Sequence, residues 1–135
     1  DQLRDLSISV FKIRKKTMIG QILIALIALL HVYILVLEMF LWDKPYGLKA
    51  FGNTPEKAQL TKVMAQNQGL YNGFLAAGLF WALCAPVIYA LPLANFFLGC
   101  VLIAGIYGGL TASKKIIYIQ AIPAALALLI VNLNY

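Results

Sequence analysis

The chain has 135 residues, of which 62% are hydrophobic and only 12% charged, and its mean hydropathy is +0.85. Soluble domains sit near ~45–50% apolar and ~25% charged, and disordered chains are poorer still in apolar residues, so both classes are excluded. The net charge of +6 does not point to nucleic acid, because the basic residues flank apolar runs as they do beside membrane spans.

Residues 1–17 carry Arg4, Lys12, Arg14, Lys15 and Lys16. Met18 directly precedes the first apolar run and is a candidate start, which would make 1–17 a foreign or variable basic tail. The alternative is a native tail lying on an anionic leaflet. The first apolar run covers about 19–42. A helix of ~20 apolar residues crosses a bilayer core of ~30 Å. This run is too long for a signal-peptide core and lacks a small-residue cleavage pattern after it, so it is read as a span.

A loop occupies 43–54, with Pro45, Gly47 and Gly52 as turn residues. Thr54, Pro55 and Glu56 read as a helix start: a cap, a fixed φ at the first position and a carboxylate against the helix dipole. The second helix therefore starts at Pro55, before its membrane part at about 63–85, and Pro86 ends it. Its first turns are amphipathic, with Leu60, Val63 and Met64 on one side. The third span covers about 91–112 and the fourth about 116–133. Pro123 lies inside the fourth, where a kink would free the carbonyl of Ile119. No strand-period alternation accompanies these runs, so a barrel is excluded. The expected fold is all-α: an integral-membrane antiparallel four-helix bundle forming one domain over 18–135.

Small residues recur every four positions at Gly69, Gly73 and Ala77 and again at Gly105 and Gly109. Such stripes let helices approach closely in lipid, either within the bundle or across a homodimer seam. Cys84 and Cys100 have no metal-ligand spacing and read as buried small hydrophobes. A single histidine excludes a multi-histidine metal site within one chain. No nucleophile elbow, phosphate loop or dinucleotide fingerprint is present, and no metal or cofactor is expected.

Ionisable groups at membrane depth are costly and read as functional by default. The first span carries His31 and, two turns later on nearly the same face, Glu38, with Tyr33 roughly opposite. The second helix opens its membrane part with Asn67, Gln68, Tyr71 and Asn72, of which Gln68 and Asn72 share a face. In an antiparallel bundle these residues, with Tyr107, Thr111, Tyr118 and Gln120, fall in one half of the bilayer, with His31 at the floor. The expected binding set is His31, Glu38, Asn67, Gln68, Tyr71, Asn72, Tyr107 and Gln120. Trp42, Tyr46 and Tyr118 read as interfacial aromatics, and Trp81 fits the opposite belt or the core.

The runs LHVYILVLEMFLW (30–42), KAFGNTP (49–55), NQGLYNGFLAAG (67–78), FLGCVLIAGIYGG (97–109) and QAIP (120–123) resemble, in the same order, a family of small four-helix membrane proteins termed domain of unknown function 1304. The resemblance covers about 18–133 and leaves 1–17 outside. It implies an integral membrane protein of bacterial or fungal type, read here as a bacterial protein of the cell membrane, and it implies no activity.

Three functions compete. The first is a binding or transport-type protein whose one-sided polar pocket takes a small amphipathic molecule or a lipid headgroup. The second is a membrane enzyme using His31 and Glu38 for acid–base chemistry. The third is a structural or partner subunit in which the polar residues only join helices. Membrane lipids, and in one reading a second copy, are the expected partners. Six lysines near the Glu38 end (Lys44, Lys49, Lys57, Lys62, Lys114 and Lys115) orient that end towards the cytoplasm if the chain starts at Met18; a native basic tail would nearly cancel this.

Overall fold

A computed structural model of the chain describes residues 1–4 and 16–134. The basic tail lies mostly outside these residues, Lys12, Arg14 and Lys15 included. The described part is all-α, with no strand among the described residues.

Helix α1 runs Met18–Met39, capped by Thr17, whose hydroxyl accepts from the Gly20 N–H at 3.2 Å. Helix α2 runs Pro45–Phe51 inside the segment expected to be loop. Of the residues read there as turn formers, Pro45 occupies the first turn, Gly47 is buried within the helix, and Gly52 ends it at φ 62, a left-handed conformation that suits glycine. Helix α3 runs Pro55–Cys84, and the Thr54 hydroxyl accepts from the Lys57 N–H at 3.2 Å, as its Thr-Pro-Glu start predicts. Pro86 caps helix α4, Val87–Thr111, which therefore starts four residues before the expected span and takes Pro92 into its second turn.

The last helical run opens with a π segment, Ile117–Ala121, that passes directly into α5, Ile122–Asn134. In the π segment each N–H reaches back five residues, and Ile122 donates to the Ile117 carbonyl. The wider turn absorbs Pro123, which has no N–H to give.

Neighbouring helices run antiparallel. Lys16, ahead of α1, places its ammonium 2.9 Å from the Leu83 carbonyl and 2.7 Å from that of Ala85, at the C-terminus of α3. At the other end of the same pair Trp42 Nε1 donates to the Thr61 hydroxyl at 3.1 Å, and Lys62 donates to Asp43 at 3.0 Å. Helices α4 and α5 are joined by reciprocal amide hydrogen bonds between Asn95 and Asn132, at 3.1 and 2.6 Å. Helix α5 also packs back on α1.

The core is built from small side chains. Ala28, Ala82, Ala90, Ala94, Ala124 and Ala127 are buried around Ile24, Leu79, Leu98, Val101 and Val131. Bulky side chains such as Leu26, Leu29, Phe74, Phe96, Ile103, Leu126 and Leu129 face outwards. The glycine stripes are filled within the chain: Gly69 and Gly73 face Leu35 and Met39 of α1, and Gly105 and Gly109 face Ala121 and Ile117. The observation that suggested a homodimer seam is thus accounted for inside one chain. Ala77 is exposed, and its neighbour Gly78 receives the Phe97 ring instead.

Cys84 is exposed and Cys100 half-buried, against the expectation that both are core residues. The runs that hold them are apolar on their outer faces too, so hydropathy did not reveal burial. Leu60, Val63 and Met64 are likewise exposed, the buried residues of that stretch being Ala58 and Ala65. Trp81 faces outwards. By length and composition α1 and α4 are long and apolar enough to cross a membrane; the run Ile117–Leu133 is apolar but shorter.

Candidate functional site

A cavity of about 580 Å³ opens among α1, α3, α4, the π segment and the end of α2. Helix α1 lines it with Leu30, Tyr33, Ile34, Leu37 and Glu38, which recur at helical spacing along one broad face. Helix α3 contributes Gln68, Tyr71, Asn72 and Leu75 at i, i+3, i+4 and i+7. Helix α4 offers only Ala104 and Gly108, whose small size leaves the volume open, while Ile119 and Gln120 enter from the π segment. Phe51, at the end of α2, closes one side and packs against Trp42 with ring centroids 4.8 Å apart.

Glu38 is the one acidic residue on the wall, and no basic residue lines it. Its Oε1 accepts a hydrogen bond of 2.6 Å from Asn72 Nδ2, and the same nitrogen donates to the Gln68 carbonyl at 3.1 Å. A backbone carbonyl and a carboxylate oxygen both accept, so the nitrogen, not the oxygen, of the Asn72 amide faces them. Both amide hydrogens are therefore engaged, and Asn72 Oδ1 remains an acceptor. Gln120 Nε2 is turned to the Val101 carbonyl at 3.4 Å. The Tyr33 hydroxyl meets that of Tyr46 at 2.5 Å, tying α2 to α1. Just beyond the end of α1, the hydrogen bond from Lys62 holds the Asp43 carboxyl below the usual carboxylate range.

Of the eight residues expected to bind, Glu38, Gln68, Tyr71, Asn72 and Gln120 come together on this wall. Asn67 does not; its side chain bonds back to the Val63 carbonyl on the exposed side of α3. Tyr107 is exposed on the outer face of α4. His31 is wholly buried and off the cavity wall, with Nδ1 2.7 Å from the Ile27 carbonyl and no hydrogen-bond partner for Nε2. Tyr33, read as lying opposite Glu38, joins it on the wall, because the long side chain reaches back towards α2. Sequence reasoning also missed Phe51, whose helix was not foreseen, and the Asn95–Asn132 pair, since Asn132 falls within the fourth apolar run. The described residues include no group of three or more His, Cys, Asp or Glu able to hold a metal ion.

Comparison with known proteins assigns the chain to a family but gives it no chemistry. The chain is 33% identical over 115 residues to the uncharacterised protein YpaA of Lactococcus lactis subsp. lactis (strain IL1403), a match covering 84% of this chain and 96% of that protein. No solved structure matches the chain. Residues 25–132 match the family described as "Protein of unknown function (DUF1304)", and the chain belongs to that family.

Proposed function

We propose that the chain is a multi-pass cell-membrane protein, an antiparallel four-helix bundle whose cavity takes up a small amphipathic molecule or a lipid headgroup. The observation that carries the reading is Glu38, held by Asn72 on the wall of a cavity of about 580 Å³ that is otherwise largely apolar and aromatic. Ligand pockets commonly span ~300–1,000 Å³ and combine apolar walls with a few converging polar groups. The carboxylate and amides would orient a polar head, and Leu37, Phe51, Tyr71 and Leu75 would enclose an apolar portion.

The membrane setting is supported by the distribution of side-chain size. Only 28% of the most apolar stretch of α1, and 22% of that of α4, is buried within the protein. In water these outward Leu, Ile and Phe residues would form an apolar surface far beyond that of a soluble monomer. In lipid they are solvated, and the alanines and glycines between helices allow close packing. His31 lies off the cavity wall, so the acid–base pairing with Glu38 is not retained.

Native mass spectrometry of protein released from membranes, wild type beside Ala104→Trp, tests the reading. Ala104 lines the cavity, and an indole there would fill it. The expected result is a co-purifying small molecule on the wild type that is lost from a folded variant. Identical spectra for the two proteins would refute the proposal.

A further inference from the structure

We propose that the cavity selects cations: its occupant carries an ammonium group that rests on Glu38, with its apolar portion between Tyr71 and Phe51. This deepens the reading above and rests on it. Three observations point the same way.

Hydrogen bonding leaves acceptors beside Glu38. The Asn72 donors are both taken, by Glu38 and the Gln68 carbonyl. Glu38 Oε2 and Asn72 Oδ1 therefore stand as acceptors at the carboxyl, while the donors of the Gln68 side chain and the Tyr71 hydroxyl lie elsewhere on the same wall. A head that brings positive charge or N–H groups to the carboxyl meets those acceptors.

Charge points in the same direction. Among the described residues the ion pair joins Lys62 to Asp43, outside the cavity, and none reaches Glu38. An anionic head would oppose ionisation of Glu38 in this weakly screened site, and a neutral one would do nothing to favour the desolvated carboxylate. A cation neutralises it. Finally, the rings of Tyr33, Tyr71 and Phe51 share the wall with Glu38. Their electron-rich faces attract ammonium groups, quaternary ones included.

The ammonium has two sources, a free amphipathic amine or the amino headgroup of a phospholipid, and the experiment separates them. Decyltrimethylammonium, decyl sulfate and decanol are titrated calorimetrically into the full chain in dodecyl maltoside micelles, with empty micelles as blank. The expected result is at least about tenfold tighter binding of the ammonium compound than of the other two. Glu38→Gln removes that preference, weakening the ammonium compound far more than decanol. Should Glu38→Gln not fold, Tyr71→Leu serves instead, weakening the ammonium compound more than decanol. Added phosphatidylethanolamine that competes with the ammonium probe identifies a headgroup as the source; failure to compete identifies a free amine. Equal binding of all three probes, or tightest binding of the sulfate, overturns cation selection while the cavity reading stands. Absence of binding by every probe, with no effect of Ala104→Trp, overturns both.

Discussion

Asn72 Nδ2 lies 2.6 Å from Glu38 Oε1, a bond between residues thirty-four positions apart that joins α3 to α1 at the cavity wall. Hydrogen bonds to charged groups contribute roughly 1.5–3 kcal/mol, and removing the donor leaves the acceptor desolvated and unmatched. Asn72→Ala is therefore expected to lower the thermal midpoint by several degrees, monitored by circular dichroism in detergent. Glu38→Gln keeps an acceptor opposite Asn72 and is expected to unfold close to wild type.

His31 separates joining from binding. Its Nδ1 faces a carbonyl, which only accepts, so the hydrogen sits on Nδ1 and Nε2 is a buried acceptor without a partner. An unsatisfied buried group costs about 1–3 kcal/mol. His31→Leu is expected to match or exceed wild-type stability, since it replaces that acceptor with apolar volume. His31→Ala is expected to lose roughly 2–5 kcal/mol, because it opens a void instead. Equal losses in both variants, read by thermal melts, would show that Nε2 has a partner after all.

At Gly105 a Cβ would come within 2.7 Å of the Ala121 nitrogen and 2.9 Å of its Cα, backbone atoms that cannot step aside. At Gly99 an added Cβ meets nothing within 4 Å. Gly105→Ala is expected to destabilise the α4–π contact clearly. Gly99→Ala is expected to be neutral or to gain up to about 1 kcal/mol from helix propensity. Chemical denaturation of the two single variants in the same detergent compares them directly.

The Asp43–Lys62 pair predicts a pH dependence of known sign. The Asp43 carboxyl is held below its unfolded value by the hydrogen bond from Lys62, so it stabilises the fold at pH above the ordinary carboxylate range. That contribution is lost as pH falls through the lowered folded value. The pair lies at the surface, so the effect is small and screened by salt. Asp43→Asn is expected to melt slightly below wild type near neutrality, and the gap is expected to close in acid and in high salt.

The apolar runs made four helical segments legible, and the Thr-Pro-Glu start located the beginning of α3. Gln68 and Asn72 were legible as a pair because i, i+4 spacing fixes their common face whatever the helix rotation. Rotation itself was not legible. Along α1 the outward Leu26 and Leu29 are as apolar as the inward Ile24 and Ile27, so no contrast marks the inner face. His31 was accordingly expected on the cavity floor, and Tyr107 and Asn67 were expected inside. Helix α2 was hidden because Pro45 and Gly52 punctuate a short helix and a loop alike.

The π segment makes chain length critical. Each residue of an α-helix turns the chain by about 100°, so the extra residue in the wide turn sets the angular phase between the helical stretches on its two sides. Gln120, within the segment, reaches Val101, and Asn132, beyond it, meets Asn95. Deleting a single residue from 117–121 would restore an ordinary helical ladder, yet it would dephase the two ends. Either Gln120 would rotate off the cavity wall or Asn132 would lose its amide partner. A one-residue deletion here is thus a sharper lesion than any single side-chain replacement, and it would be felt on α4 at both Val101 and Asn95.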